Sequence, residues 1–285
     1  LNPVVGDVTG NLKMVLEALE AAAPSSDLVV FPELFLVGYP PRDLLEKRSV
    51  IDKVEQAVAE LTAASARFPR TGLVLGAPLA TGQATGKGLH NAALLISGGR
   101  VLLRQNKSLL PTYDVFDESR YFDAAGEVQV VRFKGEILGL SICEDAWCDE
   151  EVWCSRLYSF DPVQSLADKG ATLLVNISAS PFQIGKEEVR YHLIRGHARK
   201  LRCPFIYVNQ VGGNDELIFD GGSLAFDGEG DLLTVFPAFR ERVETLDLAR
   251  AAKWGHFAAP EKIATVYEAL VLGLGDYFKK CGFSR

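Results

Sequence analysis

The sequence predicts a layered α/β protein built on mixed sheets, and three features of its 285 residues carry that expectation. Short apolar runs of strand length outnumber segments of helical period. Several of those runs pair around glycine-containing turns. Helical segments separate others, as crossovers do. Hairpins join antiparallel strands and helical crossovers join parallel ones, so a chain with both forms mixed sheets rather than one doubly wound parallel sheet. An apolar content of 48% over this length fills one sizeable core.

Residues 11–23 place Leu12, Val15, Leu16 and Leu19 at helical spacing. Residues 27–31 (DLVVF) read as a strand stopped by Pro32. Helical spacing returns over 50–66 through Val50, Val54, Val58 and Leu61, and 73–79 reads as strand. Three hairpins are expected: 91–97 with 101–105 around Gly98-Gly99, 128–133 with 137–142 around Lys134-Gly135, and 223–226 with 232–236 around Asp227-Gly228-Glu229-Gly230. Between the last two fall a helix over 160–169, a buried strand over 171–177, an amphipathic helix over 186–201 and a strand over 205–211. A final strand is expected over 242–248, and the Gly/Thr-rich stretch 81–88 is the best exposed loop. After Pro260, Ile263, Val266, Tyr267, Leu270, Leu274 and Tyr277 mark a helix with a broad apolar face, closed by Lys279, Lys280 and Gly282. Such a helix either packs on its own domain or opens another.

The formal charge of −7 argues against a nucleic-acid surface, which needs a basic face. No apolar run reaches the roughly 18 residues that span a bilayer. No basic stretch leads into an apolar one at the N-terminus, as in a secretory signal, and the chain opens on Leu1 rather than Met. Five irregularly spaced cysteines read as thiols in a reducing, cytoplasmic compartment. Cys148 and Cys154 are too far apart for a CxxC pair, so no metal site is expected.

Reactive groups in layered α/β proteins gather at strand ends, and three expected strands finish on such residues: Glu33, Lys107 and Cys143. A lone cysteine in an apolar run is ordinarily a small buried hydrophobe. At a strand-to-turn junction followed by Glu144 and Asp145, however, the thiol meets backbone N–H groups free to bind an oxyanion. A free thiol is only about 3% thiolate at pH 7, so a nucleophile needs a base. Glu33, between an apolar strand and Leu34-Phe35-Leu36, is the candidate base, and burial there raises a carboxylate pKa toward neutrality. Lys107 is a candidate oxyanion stabiliser. Glu118, among Phe116, Tyr121 and Phe122, orients Lys107 or the substrate amide, or is a surface charge. Of the four histidines, His90, His192, His197 and His256, none stands in an obvious catalytic frame.

The segments FPE (31–33), NKSLLP (106–111) and ICEDAW (142–147) together resemble the nitrilase, or carbon–nitrogen hydrolase, superfamily, whose members carry a Glu-Lys-Cys triad in that chain order. LNPVVGDVTGN (1–11), GYPPRDLL (38–45), PTYDVFDESRYF (111–122) and NISASPFQIGK (176–186) are more closely similar to the glutaminase domains of the glutamine-dependent NAD⁺ synthetase family. The resemblance implies a four-layer α-β-β-α sandwich over 1–258, with 259–285 a linker and the first helix of a synthetase domain. It implies a further strand before Leu1, ATP and Mg²⁺ only in the synthetase domain, and a homo-oligomer. It assigns Glu33, Lys107 and Cys143 to catalysis on L-glutamine through a thioester, with the Glu144 N–H in the oxyanion hole, and Glu118 joins the catalytic set as the second carboxylate read from the residues themselves. Tyr113, Ser180 and Lys186 match substrate-binding positions; Glu144 is expected with them, and the Lys186 charge by itself suits an α-carboxylate. Two other readings stand beside this one: an amidase for small ω-amides or carbamoyl amines, and a catalytically silent regulatory domain.

Overall fold

Alternation along the strands sorts the apolar side chains into an inner and an outer population, because successive residues point to opposite faces of a sheet. The computed structural model describes residues 1–148, 158–253 and 257–283. Its elements are α1 (Val8–Ala22), β1 (Leu28–Val30), α2 (Arg48–Ser65), β2 (Gly72–Ala80), β3 (Leu89–Ser97), β4 (Arg100–Asn106), β5 (Val130–Phe133), β6 (Glu136–Ile142), α3 (Pro162–Asp168), β7 (Leu173–Ser178), α4 (Lys186–Leu201), β8 (Phe205–Asn209), β9 (Val211–Asn214), β10 (Leu217–Asp220), β11 (Leu224–Phe226), β12 (Leu232–Val235) and α5 (Lys262–Lys280).

One sheet has the order β1-β2-β3-β4, a second β12-β11-β8-β7-β6-β5, and β9 pairs with β10 as a separate ribbon. The β1–β2, β6–β7 and β7–β8 pairs are parallel and the others antiparallel, so both large sheets are mixed. Val74, Ala93 and Leu95 of the first sheet meet Leu140, Ile142 and Ile177 of the second in the layer between them. Their neighbours Leu73, Leu75, Leu94 and Ile96 face outward, onto Val15 and Leu19 of α1 and Val54 and Leu61 of α2. On the far side Leu174, Phe205 and Tyr207 pack against Val163 and Leu166 of α3 and Ile194 and Ala198 of α4. The result is the expected α-β-β-α stack.

Two expectations are corrected. The strand over 205–211 ends at Asn209. Gly212 and Gly213 break the apolar pattern, and the chain leaves the sheet to form the β9–β10 ribbon, which the sequence reading missed. Residues 242–248 form no strand. They run unpaired, with the side chains of Arg242 and Glu244 bonded to each other and Val243 half exposed. Charge at every second or third position leaves too little apolar surface to dock on a sheet edge, and only Leu248 packs on the layer between the sheets. Asp7 starts α1 at Val8 by accepting the Gly10 N–H at 2.9 Å, three residues earlier than the apolar pattern indicates.

Helix α5 lies over the β9–β10 ribbon and is held by polar contacts. Asp276 accepts from Asn2 Nδ2 and from Gly213 N, each at 2.7 Å, and Lys280 Nζ donates to Asn2 Oδ1 at 2.7 Å and to Asn214 Oδ1 at 2.9 Å. Its apolar residues Ile263, Tyr267, Leu270, Leu274 and Tyr277 remain exposed. Among the described residues no helix is long and apolar enough to cross a membrane.

The turn after β1 lies directly on the backbone of β2. A Cβ at Gly76 would sit 2.3 Å from Leu34 N and 2.8 Å from Glu33 Cα. Neither atom belongs to a flexible side chain, so an added methyl displaces the Glu33 turn. Gly76→Ala is expected to destabilise by about 1–3 kcal/mol and to lower Tm by roughly 2–4 °C per kcal/mol. Thermal unfolding followed by circular dichroism measures this; an unchanged Tm would refute the contact.

Candidate active site

Three strand ends deliver three reactive groups to one level of the sandwich. Phe31 N donates to Val74 O at 2.8 Å, prolonging the β1–β2 pairing to Pro32, after which the chain turns through Glu33 and Leu34 (φ +47°). Lys107 follows β4, its N–H donating to Asn91 O at 2.8 Å. Cys143 follows β6 and opens the short turn Cys143–Ala146 with φ +42°, a left-handed conformation that is uncommon for any residue but glycine. Asn176, two residues before the end of β7, holds that turn, donating to Ser141 Oγ at 3.0 Å and to Cys143 O at 3.4 Å.

The centre of the site is a buried ammonium between two carboxylates. Lys107 Nζ donates to Glu33 Oε1 at 2.7 Å and to both Glu118 oxygens, at 2.8 and 2.9 Å. Glu33 also accepts from Asn91 Nδ2 at 2.7 Å and from the Ala179 N–H at 3.0 Å. Glu118 also accepts from Asn91 Nδ2 at 3.5 Å and from the Tyr39 hydroxyl at 2.9 Å. Burial by itself would lower the Lys107 pKa; the charges of Glu118 and Glu33 outweigh that and hold the ammonium well above its ordinary range. Burial pushes the Glu118 carboxyl up, and Lys107 pulls it back only in part.

Cys143 is buried beside this group, within the electrostatic field of Glu33, Lys107, Glu144 and Glu118. Burial, and next the Glu33 charge, push its thiol far above the usual range, against the pull of Lys107. The resting group is therefore the neutral thiol. Of the histidines, His90 Nδ1 lies 2.6 Å from Asp123 O, His197 Nε2 lies 2.7 Å from Ala146 O, and His192 is exposed. His256 and Cys154 lie outside the described residues.

The residues expected to bind substrate lie nearby. The Tyr113 hydroxyl donates to the Glu144 carboxylate, its oxygen 2.9 Å from each carboxylate oxygen. Lys186, at the start of α4, lies over the Trp147 ring at 5.4 Å. Burial and then the Arg190 charge lower its pKa, against the pull of Cys143 and Glu144. Ser180 is buried one residue beyond Ala179, its backbone fastened to the Asn209 amide at 2.8 and 3.2 Å. All eight expected residues thus fall in one region.

The sequence reading missed the supports. Asn91 interrupts the apolar pattern of β3, which was its one signal, and Tyr39 stood in an already noted segment. Tyr158, a second phenol on Glu144 at 2.9 Å, gave no signal. Asp145 accepts from Ser108 N and Leu109 N at 3.0 and 2.9 Å and from Ile142 N at 3.0 Å. Burial raises its pKa to about 7 despite those three donors.

Compared with known proteins, residues 1–255 match the family described as carbon-nitrogen hydrolase. A glutamine-dependent NAD(+) synthetase of Synechocystis sp. is 42% identical over 100% of this chain and 52% of that relative. The one from Rhodobacter capsulatus is 36% identical over 100% of this chain and 50% of its own length. A solved glutamine-dependent NAD+ synthetase from Acinetobacter baumannii, in complex with adenosine diphosphate, superposes with a TM-score of 0.83 at 30% identity, over 98% of this chain and 51% of that one. A mutant amidase of the nitrilase superfamily from Nesterenkonia shares the fold, with a TM-score of 0.69 at 23% identity. The chain spans about half the length of the curated relatives it matches.

Burial together with Glu118 beside Tyr39, and with Glu144 beside Tyr113 and Tyr158, raises three phenol pKa values, and burial takes Tyr207 to about 12. A folded pKa above the unfolded value of about 10 gives stability that is complete below pH ~10 and lost as pH climbs through the folded value. These four tyrosines are expected to stay unionised in the folded protein at pH 11. Their phenolate absorbance at 295 nm should appear together with alkaline unfolding; an early, gradual titration of all eight would contradict the site geometry.

Proposed function

We propose, from the premise that this chain belongs to the carbon–nitrogen hydrolase family, that it is the glutamine amidohydrolase half of a glutamine-dependent NAD⁺ synthetase. The observation that carries the reading is the Lys107 ammonium between Glu33 and Glu118, sealed from water beside Cys143.

Because the thiol is neutral at rest, its proton leaves as the sulfur attacks the carboxamide carbon, and Glu33 takes it. Lys107 and the Glu144 N–H hold the oxyanion of the tetrahedral intermediate. As the C–N bond breaks, Glu33 returns the proton to the departing nitrogen, releasing ammonia and leaving a thioester. Water then attacks the thioester carbonyl and gives a proton to Glu33. The sulfur departs and recovers that proton, and glutamate is free. Glu118 fixes the Lys107 ammonium from the side opposite Glu33. The amino-acid head group lies against Glu144, Tyr113, Ser180 and Lys186, a buried carboxylate and a cation of reduced pKa suited to an α-ammonium and an α-carboxylate.

Ammonia would be used in an ATP- and Mg²⁺-dependent synthetase domain, amidating deamido-NAD⁺. The exposed apolar face of α5 is read as the surface on which that domain packs, residues 259–285 being its beginning. Cys143, Cys203 and Cys281 form no disulfide, as a reducing cytoplasm would keep them.

Purified protein is expected to convert glutamine to glutamate and ammonia in equal amounts, and to turn over small ω-amides far more slowly. Preference for a small amide would replace this reading with that of another amidase. Cys143→Ala should abolish turnover. Lys107→Met should lower kcat by about 10²–10³-fold, the size of one lost oxyanion donor. His90→Ala and His192→Ala should leave kcat within about threefold; a loss matching Cys143→Ala at either position would point to a Cys–His mechanism instead. Lys186→Ala should raise KM for glutamine at least tenfold while leaving the rate of a carboxylate-free amide unchanged, and equal effects on both would remove Lys186 from the head-group site.

A further inference from the structure

We propose that Asp145 is a positioning residue that sets the distance between the nucleophile and the oxyanion donor by tying their two strand ends to one carboxylate. The inference rests on the reading of Cys143 and Lys107 given above. Its own support is connectivity. Asp145 Oδ1 accepts the N–H groups of Ser108 and Leu109, the two residues after Lys107, at 3.0 and 2.9 Å. Asp145 Oδ2 accepts the N–H of Ile142, the residue before Cys143, at 3.0 Å. The last of these bonds closes the Cys143–Ala146 turn from its third residue, as an acidic side chain does at a helix start.

The two segments belong to different sheets. Lys107 directly follows β4 of the first sheet and Cys143 directly follows β6 of the second. Among the described residues no backbone ladder joins the sheets, and the apolar side chains between them, such as Leu95 and Leu140, give non-directional contact. Sliding of one sheet over the other by an ångström would keep that burial but move the ammonium away from the sulfur. Near-attack geometry tolerates little of this, since an ångström of misplacement can lower a rate about 10²-fold. The Asp145 carboxylate supplies the direction that apolar packing lacks: three N–H donors from both sheets converge on an acceptor that is 1% exposed. Replacing one carboxylate oxygen by an NH₂ puts donor against donor at either the Ile142 or the Ser108–Leu109 side, so Asp145→Asn opens one of the two ties without changing side-chain size.

The test compares the parent protein with Asp145→Asn in two measurements per folded molecule, folding being checked by circular dichroism and Tm. One is the rate of covalent capture of Cys143 by 6-diazo-5-oxo-L-norleucine, located by peptide mass. The other is kcat and KM for glutamine. The expected result is a fall of about 30- to 100-fold in both capture rate and kcat, with KM within threefold. A capture rate and kcat within threefold of the parent, whatever the change in Tm, would show that Asp145 serves stability alone and would overturn the proposal, as would a loss confined to KM. If Asp145→Asn does not fold, Asp145→Glu carries the test: folded protein with capture reduced at least tenfold supports the role, and parent-like capture refutes it. A parent that is captured at Cys143 but does not hydrolyse glutamine would end the glutaminase reading while the capture ratio still decides the role of Asp145. A parent not captured at all would end both.

Discussion

A lysine ammonium buried between two carboxylates is the interaction on which the rest of this structure is organised. An unpaired charge in a protein interior carries a desolvation penalty of several kcal/mol, and pairing offsets it only when the remaining lone pairs and protons are also satisfied. Lys107 meets that condition through Glu33 and Glu118 at 2.7 and 2.8 Å. The carboxylates meet it through Asn91, Tyr39 and the Ala179 N–H. Those partners come from the ends or edges of several separate segments, so the triad is satisfied only if β1, β3, β4 and β7 all reach the same level.

The reactive end of the sandwich is also where the backbone departs from easy conformations. Cys143 has φ +42° and Leu34, directly after Glu33, has φ +47°. A non-glycine residue in the left-handed region carries roughly 1–2 kcal/mol of strain and persists where its surroundings over-determine it. Here the surroundings are specific. The backbone of Glu33 and Leu34 rests on a position of β2 that has room for glycine alone, and the Cys143 turn is fixed by Asn176 and Asp145. The strain turns a cysteine that would continue an apolar strand into one aimed at the Glu33–Lys107 pair.

Electrostatics then select the chemistry. A thiol paired with a histidine can rest as an ion pair, whereas the Cys143 thiol, raised by burial and by Glu33, rests neutral. In the proposed mechanism its nucleophilicity would be generated within the encounter with substrate, by Glu33 as the base. Glu144, one residue further on, is occupied by the phenols of Tyr113 and Tyr158. In the proposed mechanism adjacent residues of one short turn would thus serve the reacting bond and the head group separately.

Much of this was legible in the chain alone. The apolar periods of α2, the hairpins at Gly98-Gly99 and Lys134-Gly135 and the helix over 186–201 all depend on local spacing, which sequence records directly. The same holds for Glu33, Lys107 and Cys143, each announced by a strand that ends on a reactive group. The ribbon of β9 and β10 escaped because glycines hide its alternation, and 242–248 was misread because strand-like composition says nothing about whether a sheet edge is available. Asn91, Tyr39, Asp145 and Tyr158 were decided only by the tertiary structure. A hydrogen bond between residues 58 or 79 positions apart, as in Asn91–Glu33 and Tyr39–Glu118, leaves no periodic trace in the sequence. Asn91 meets Glu33 because β1, β2 and β3 pair side by side in one sheet, and the bonds that cross between the sheets, Ala179 N–H to Glu33 and the Ser108 and Leu109 N–H groups to Asp145, fix a register that the apolar layer would leave free to slide.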